Sequence, residues 1–307
     1  MPQHDLIVVG EGFAGLACAQ EAAALGLDVA IFESAFCGGL AVNLDRLHGL
    51  DEAGESSGVE HAVSLANALS EAGVERIRTA VTAIRRAGDI FEVSSEADTH
   101  TARAVAIASG ARIMKLGVPG EEAFEGRGVS WCADCDAPMF AGATVVVAGG
   151  TQWAAHEALV LADAAAAVYL VHAGSAVDAL PDTLARLRDE AKITIVPDTR
   201  IDEILGDADG VTAVRVTGPS GTRELACTGV FPMIGLEPAS ELAPPGVARD
   251  PRGALVVDDQ LETTEPKLFA IGQVRSGGAG WIADAVADGR SVARTVAARL
   301  GAARGER

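Results

Sequence analysis

Two cysteines, Cys132 and Cys135, lie three residues apart in the segment SWCADCDAPMF. Thiols at this C-x-x-C spacing can form a small disulfide ring, and a neighbouring dipole or cation can stabilise one of them as the nucleophilic thiolate. Asp136 follows directly, and its carboxyl group can exchange a proton with a leaving thiol. The segment therefore predicts thiol–disulfide chemistry, with Cys132, Cys135 and Asp136 as candidate catalytic residues.

Zinc binding is the alternative use of a C-x-x-C pair. A zinc site usually needs a second such pair, or a pair together with closely spaced histidines. The other three cysteines, Cys18, Cys37 and Cys227, are isolated in the sequence, and no two histidines are closely spaced. We therefore expect no metal site, and we interpret Cys132 and Cys135 as a redox pair.

The chain begins with the pattern of a dinucleotide-binding unit. The apolar run Leu6–Val9 predicts a buried strand and leads into a G-x-G-x-x-G motif formed by Gly10, Gly12 and Gly15. In such a motif the first glycine makes the tight turn, the second lets the backbone approach a pyrophosphate, and the third lets helix and strand pack closely. The N-terminus of the following helix offers free N–H groups to the phosphates.

The elements after the glycines complete this β-α-β unit. A helix of small residues is predicted over about Phe13–Leu25, and a second strand over Val29–Phe32 ends at Glu33. An acidic residue at this distance from the glycines can accept hydrogen bonds from ribose hydroxyls. The strand, the helix and the acid together make the motif a specific signal.

A second nucleotide-type unit begins near the middle of the chain. A buried strand over Ala143–Ala148, the turn Gly149-Gly150-Thr151, a helix over Gln152–Ala165 and a strand over Val168–His172 follow one another. The remaining segments read mainly as short strands, with a helix on either side of the centre. They are strands near Arg76–Ile84, Ile90–Ser94, Ala104–Arg112, Ile193–Val196, Ile201–Leu205, Val211–Val216 and Gly229–Ile234, and helices over Val59–Ala72 and about Trp281–Leu300.

These elements predict an α/β protein with two Rossmann-like domains, the second inserted in the first. Val118-Pro119-Gly120 and Pro244-Pro245-Gly246 look like linkers. We assign residues 1–114 and 246–307 to the first domain. Residues 115–245, which carry the C-x-x-C pair, form the second.

Composition and charge limit the possible partners. The chain has 307 residues, 49% of them hydrophobic, and a formal net charge of −19. An acidic surface of this size repels nucleic acid and anionic lipid, so we expect neither as a partner. The chain shows no basic leader, and Asp163 interrupts its longest apolar stretch. We expect a cytoplasmic protein that does not span a membrane.

Together these motifs resemble the low-molecular-weight thioredoxin reductase family, over nearly the whole chain. The resemblance implies that the first domain binds FAD and that the second is related to an NADPH domain. It also implies a homodimer whose domains rotate, with Cys135 nearer the flavin and Cys132 attacking the substrate. The cofactor-binding residues that it implies are Gly10, Gly12, Phe13, Ala14, Gly15, Glu33, Gly38, Gly39, Asn43, Ala108, Ser109, Gly110, Gly272, Gln273, Trp281 and Ile282.

The second glycine motif departs from the family pattern. The family has G-x-G-x-x-A followed by two glutamates, whereas this chain reads GGTQWAAHE from Gly149. Thr151 replaces the glycine that admits the pyrophosphate, and Trp153 places an indole near the helix start, where it could fill the phosphate site. The family also holds the 2′-phosphate with three arginines in H-R-R-x-x-x-R. Here His172 is followed by AGSAV and Asp178, which would repel a phosphate.

The flavin side departs as well. The family's late Gly-Asp pair is Gly272-Gln273, and its Arg-Gln pair near the flavin is Gly280-Trp281. A glutamine can still hydrogen-bond the ribityl chain, so we expect FAD binding to survive. The exchanged pair changes the surroundings of the isoalloxazine ring.

Three functions remain open at this point. The first is an FAD-dependent thiol–disulfide oxidoreductase that does not use NADPH, with a ferredoxin-type donor, or with a dithiol substrate and oxygen as acceptor. The second is an NAD(P)H-dependent reductase of a disulfide protein or a small disulfide. The third is a flavin-binding regulatory protein without turnover.

Overall fold

The computed structural model describes residues 3–44, 57–278 and 280–305, with side chains of the last helix described to Gly301. Strands and helices alternate in two parts of the chain, which begin at His4 and at Thr144, as the sequence pattern predicts for an α/β protein. The strands are β1 His4–Val9, β2 Val29–Phe32, β3 Glu75–Ile77, β4 Val81–Ala87, β5 Ile90–Ser95, β6 Thr99–Ile107, β7 Ala111–Ile113, β8 Thr144–Ala148, β9 Ala167–Val171, β10 Ile193–Val196, β11 Arg200–Gly206, β12 Val211–Gly218, β13 Gly221–Ala226, β14 Gly229–Pro232, β15 Leu236–Pro238 and β16 Leu268–Ala270.

Two of the helices, α1 and α4, follow the glycine turns, and α6 is the last element. The α-helices are α1 Phe13–Ala24, α2 Gly58–Glu71, α3 Ala133–Asp136, α4 Gln152–Ala164, α5 Pro181–Asp189 and α6 Ile282–Gly305. Short 3₁₀ helices span Gly39–Asn43, Ala137–Phe140 and Gly272–Val274. None of the helices in the described part of the chain combines the length and the hydropathy that a membrane span requires.

The chain divides into two compact units. Unit 1 comprises Met1–Arg112 and Glu237–Arg307, and unit 2 comprises Ile113–Leu236. The chain returns to unit 1 at Glu237, whereas the sequence pattern places this return at residue 246. The Ser109 hydroxyl donates to the Ala239 carbonyl (2.7 Å), and the Ala239 N–H donates to the Gly110 carbonyl (3.0 Å), which attaches this segment to unit 1.

Unit 1 is built on a seven-stranded sheet in the order β3-β2-β1-β6-β5-β4, with β16 also paired to β6. Strands β3, β2, β1, β6 and β16 pair in parallel, whereas β5 pairs antiparallel with both β6 and β4. All six residues of β1 are buried. Leu6 and Val8 belong to the hydrophobic core that includes α1 and α6, whereas Ile7 and Val9 belong to the core on the other face. Strand β1 is therefore covered on both faces, as a parallel strand requires.

Unit 2 has a parallel sheet in the order β10-β9-β8-β14 and a separate antiparallel sheet in the order β11-β12-β13. Alternate residues of β8 again enter different cores. Val145 and Val147 pack with α4, whereas Val146 and Ala148 pack with the antiparallel sheet. This arrangement fixes the start of α4 at the carboxyl end of β8, where a nucleotide-type unit has its ligand turn.

Candidate functional site

The predicted redox pair forms a disulfide in unit 2. Cys132 and Cys135 are bonded through their sulfur atoms, with their Cα atoms 5.3 Å apart. Cys132 caps the short helix α3, and its Sγ atom accepts the Cys135 N–H at 3.1 Å. Cys132 is half-buried and Cys135 is exposed within this unit. The pair is therefore closed, and one sulfur already has a donor that would stabilise a thiolate.

Asp136 is fixed through a serine that the sequence analysis did not single out. The Ser130 hydroxyl donates to Asp136 Oδ2 at 2.6 Å and accepts the Cys132 N–H at 3.2 Å. Ser130 is itself buried. The proton-transfer candidate is thus tied to the backbone of Cys132, and its catalytic role stays a prediction.

A buried carboxyl group lies beneath the disulfide loop. Glu157 Oε2 accepts the N–H of Ala133 at 2.9 Å, and Oε1 accepts the indole N–H of Trp153 at 3.2 Å. The Glu157 side chain is 5% exposed, and its burial, together with the charge of Asp134, raises its pKa to about 7. The sequence analysis did not identify Glu157, although a glutamate among the apolar residues of α4 indicates a buried acid that needs partners.

In unit 1 the three motif glycines are needed for different reasons. A Cβ atom on Gly10, whose φ is +112°, would lie 2.4 Å from the Ala108 carbonyl oxygen. A Cβ atom on Gly15 would lie 1.9 Å from the Gly10 carbonyl oxygen. At Gly12 the Cβ direction has no atom within 4 Å. The first and third glycines are required for packing, and the second leaves open space beside the start of α1.

The acidic residue of the motif is held against the glycine turn. Glu33 Oε2 accepts the Glu11 N–H at 3.0 Å, and Oε1 accepts the Ala35 N–H at 2.8 Å. The Gly38 N–H donates to the Glu11 carbonyl at 2.6 Å, and Gly12 and Gly38 form an isolated parallel bridge. Glu33 is half-buried and keeps lone pairs for a ribose hydroxyl.

Glu11 is a second residue that sequence reasoning missed. Its carboxylate is fully buried and accepts two hydrogen bonds from Arg76, at 2.9 and 2.8 Å. Arg78 Nη1 lies 3.3 Å from the same carboxylate. Because the backbone of Glu11 contacts both Glu33 and Gly38, this ion-pair cluster anchors the turn that those residues form.

The C-terminal segment returns to the same glycine turn. A Cβ atom on Gly272 would lie 3.1 Å from the Ala14 side chain. The Gly272 N–H donates to Asp288 Oδ2 at 3.0 Å, and Arg275 binds both Asp288 oxygens at 2.6 and 2.9 Å. Asp288 is a further buried carboxylate without a sequence signal.

The other predicted cofactor residues differ in their placement. Gln273 and the exposed Trp281 line one shallow surface pocket with Gly272 and Asp288. Phe13 is buried and stacks on His61 at a centroid distance of 5.6 Å. Of the others, Asn43 is exposed at the end of a 3₁₀ helix, Ile282 packs against the core, and the Ser109 hydroxyl is bonded to Ala239.

The residues of unit 1 fit FAD. An open cradle at Gly12, the N-terminus of a buried helix and an oriented carboxylate at Glu33 are the features that a dinucleotide's pyrophosphate and ribose require. Several glycines and an alanine approach closely around this cradle. They are Gly10, Gly12, Gly15, Gly38, Ala108 and Gly272. Their individual roles toward the cofactor stay predictions.

The corresponding turn of unit 2 is closed by its own chain. The Asp178 N–H donates to the Gly150 carbonyl at 2.7 Å, and Thr151 and Asp178 form an isolated parallel bridge. The Gln152 side chain accepts the Leu180 N–H at 2.9 Å and donates to Thr183 at 3.0 Å. The segment after β9 is thus bound across the start of α4.

Two further residues, His172 and Trp153, lie at this turn. His172 is buried with its ring against Gly150, its burial lowers its pKa, and neither ring nitrogen has a partner among the described residues. The indole of Trp153 packs against the core of unit 2 and is bonded to Glu157.

A dinucleotide-binding α/β unit joined to a second nucleotide-type unit that carries a C-x-x-C disulfide defines a class, the flavin-dependent disulfide oxidoreductases. The model of the Pyridine nucleotide-disulphide oxidoreductase family matches residues 4–296. Thioredoxin reductase of Treponema pallidum is 33% identical over 299 residues, which is 97% of each chain.

Two solved structures are also similar over nearly their whole length. Thioredoxin reductase of Lactococcus lactis has a TM-score of 0.90 and 31% identity, covering 96% of this chain and 98% of that one. A ferredoxin–flavin thioredoxin reductase of Clostridium acetobutylicum has a TM-score of 0.53 and 27% identity, covering 97% and 98%. The chain belongs to the pyridine nucleotide-disulphide oxidoreductase family, among the relatives of thioredoxin reductase.

Membership confirms four predictions from the sequence. The fold is α/β with two Rossmann-like domains, and the protein is a flavin-dependent disulfide oxidoreductase. FAD is its cofactor, and the close pair Cys132–Cys135 fits a redox-active centre.

Proposed function

We propose that this protein is an FAD-dependent thiol–disulfide oxidoreductase that reduces a disulfide substrate with electrons from a ferredoxin-type protein rather than from NADPH. The observation that carries the proposal is the closed turn of unit 2. A pyrophosphate approaches such a turn through a glycine and the free N–H groups of the helix start. Here Thr151 stands in the place of that glycine and is bridged to Asp178.

The missing cations support the same conclusion. The segment from Ala173 to Asp178 contains no arginine or lysine and ends in a carboxylate. Each charge-assisted hydrogen bond to a phosphate contributes about 1.5–3 kcal/mol, so the loss of several weakens NADPH binding by several kcal/mol. The Clostridium acetobutylicum relative, whose name includes ferredoxin, supports the choice of donor.

The cysteines and their neighbours supply the substrate chemistry. Bound FAD would supply the two electrons that open the Cys132–Cys135 bond. The Cys132 thiolate, stabilised by the Cys135 N–H, attacks the substrate disulfide, and the Cys135 sulfur then displaces the reduced substrate and restores the bond. Asp136, held by Ser130, exchanges protons with the leaving sulfur. The substrate is a disulfide protein of the thioredoxin type or a small disulfide.

An anaerobic titration of the oxidised holoenzyme tests the donor. We expect reduced ferredoxin to bleach the flavin absorbance and to release two thiols, whereas one equivalent of NADPH or NADH leaves the spectrum unchanged over minutes. The double variant C132S/C135S is the control, because its flavin should still be reduced while no thiols are released.

The other outcomes identify the competing functions. Rapid, stoichiometric bleaching by NADPH or NADH contradicts the proposal and favours an ordinary NAD(P)H-dependent reductase. Reduction of the flavin by a dithiol, followed by oxygen consumption with peroxide formation, favours a dithiol oxidase. A flavin that no donor reduces favours a regulatory flavin-binding protein. The homodimer that the family resemblance implies and the cytoplasmic location that the sequence pattern predicts both stay predictions.

A further inference from the structure

The Ala133 N–H is the first backbone donor after Cys132, and its partner is a side-chain carboxylate. It donates to Glu157 Oε2 at 2.9 Å. Glu157 lies on α4, the helix that follows the closed turn of unit 2, and Trp153 of the same helix holds its second oxygen. The buried Glu157 carboxyl group therefore binds the backbone of the disulfide loop at Ala133, the residue that directly follows Cys132.

Two titratable groups face this carboxyl group. They are Asp134, from α3, and His156, from α4, and the ligand atoms of all three side chains lie within 4.8 Å of one another. Asp134 is half-buried and adds negative charge, whereas His156 is exposed. Asp136, the other acid of α3, is instead bonded to Ser130. The surroundings of Glu157 thus disfavour its ionised form, and a new negative charge in the loop would disfavour it further.

We propose that Glu157 is a positioning residue for the redox pair, which takes up a proton when the Cys132–Cys135 disulfide is reduced. Two electrons enter the S–S bond, which breaks. The Cys132 sulfur remains as the thiolate that accepts the Cys135 N–H, the Cys135 sulfur takes one proton, and the Glu157 carboxylate takes the second. The charge of the loop and its support is then the same before and after reduction.

The expected pH range follows from the disulfide form. In that form the pKa of Glu157 is about 7, raised by burial and by Asp134. A neighbouring thiolate raises the pKa of Glu157 further in the reduced form. Below pH 7 the carboxyl group is protonated in both forms, so no proton is taken up. Above pH 7 it is ionised in the disulfide form only, and reduction then requires one more proton from solution.

The test compares the oxidised holoenzyme with its E157Q variant in anaerobic dithiothreitol buffers of defined ratio, from pH 5.5 to 8.5. Acid quenching, alkylation and mass analysis of the two cysteines give the equilibrium constant for reduction. We expect the wild-type constant, divided by that of E157Q, to be independent of pH below about 6.5. Above pH 7 the ratio should fall by about tenfold per pH unit, since one additional proton is bound.

Two further variants separate this linkage from a structural effect. D163N removes an exposed charge from the same helix, and its ratio to wild type should stay constant with pH. W153F removes a hydrogen bond that favours the carboxylate, so the start of the fall should move to higher pH. A ratio for E157Q that is constant over the whole range would overturn the inference, as would a W153F profile identical to wild type.

The inference rests on the redox role of the cysteine pair in the proposed function, but not on the identity of the electron donor. If the wild-type disulfide releases no thiols in any of these buffers, the proposed function itself fails. If it is reduced normally and only the pH dependence is absent, the proposed function stands and the role of Glu157 is rejected.

Discussion

At the scale of single residues, the two sites depend on buried acids that are stabilised differently. Glu11 is paired with the guanidinium groups of Arg76 and Arg78. Glu157 is held by two N–H groups instead, and its pKa is raised to about 7. A buried carboxyl group that is held only by neutral donors can change its protonation state near neutral pH, as the raised pKa of Glu157 allows.

The pairing of Glu11 gives a prediction for both stability and FAD affinity. In the E11Q variant Arg76, whose side chain is 18% exposed, loses its bidentate partner. We expect unfolding in urea to require about 3 kcal/mol less free energy, as for other broken buried pairs. Because the Glu11 backbone positions Glu33, FAD should also bind at least tenfold more weakly in a fluorescence titration.

The matched control for E11Q is E92Q. Glu92 is an exposed residue of β5, and its neutralisation should change the unfolding free energy by less than about 0.5 kcal/mol. Equal stability and equal FAD affinity of E11Q and wild type would show that the ion-pair cluster does not support the glycine turn.

Local patterns account for the residues that the sequence predicted well. The cysteine pair, Asp136, the glycines and Glu33 lie within short motifs whose spacing carries the chemistry. Three buried acids were not predicted as site residues, because each has a partner outside its own sequence motif. They are Glu11, Glu157 and Asp288. Arg76, for example, is 65 residues from Glu11, and no periodicity relates the two.

At the scale of elements, helices α1 and α6 pack in close contact beside the FAD site. A Cβ atom on Gly289 of α6 would lie 2.2 Å from the Ala14 carbonyl oxygen and 2.8 Å from the Cys18 nitrogen. Only a glycine lets the helices approach this closely. Since α1 begins at the glycine turn, the position of α6 also determines the shape of the cofactor cradle.

Substitution of this glycine should therefore be costly. We expect G289A to lower the free energy of unfolding by about 1–3 kcal/mol through overpacking, and to release FAD during gel filtration. The control is G301A on the same helix, where a Cβ atom has nothing within 4 Å. That variant should be as stable as wild type or more stable, by up to about 1 kcal/mol. Indistinguishable melting curves for the two variants would contradict the argument.

Element prediction succeeded where a strand or helix has one clear periodicity. Val29–Phe32 and Ile193–Val196 were predicted with the bounds that the structure has. The single strand predicted near Arg76–Ile84 was wrong, because Glu75–Ile77 pairs in parallel with β2 while Val81–Ala87 pairs antiparallel with β5. Helix α5 and strand β13 are mostly exposed, and they were missed because neither has a continuous apolar face.

At the scale of the whole molecule, each unit has its own hydrophobic cores. Among the described residues, two core clusters lie within unit 1 and two within unit 2. A ligand stabilises the structure that it binds, by about 2.7 kcal/mol at a free concentration of 100 times its Kd. FAD should therefore stabilise mainly unit 1.

Amide hydrogen exchange of the apoprotein and of the FAD-saturated protein measures this difference. We expect slower exchange in β1, α1 and α6 when FAD is bound, and little change in β8, α4 and β12. Equal slowing in both units would mean that they open together, in conflict with separate cores.

The sequence predicted the two-domain organisation because linkers and glycine turns are local features. The point at which the chain returns to unit 1 depends on contacts of Ala239 with residues distant in the chain, so linkers and glycine turns could not predict it.

The interrupted course of unit 1 has a consequence for biosynthesis. Strand β6 needs β16 as a neighbour and α1 needs α6, yet β16 and α6 follow residue 236 in the chain. A ribosome therefore delivers all of unit 2 before it delivers the last part of the FAD cradle. Because nascent domains fold as units in the order of their emergence, we expect unit 2 to fold first and FAD to be captured only after α6 has been synthesised.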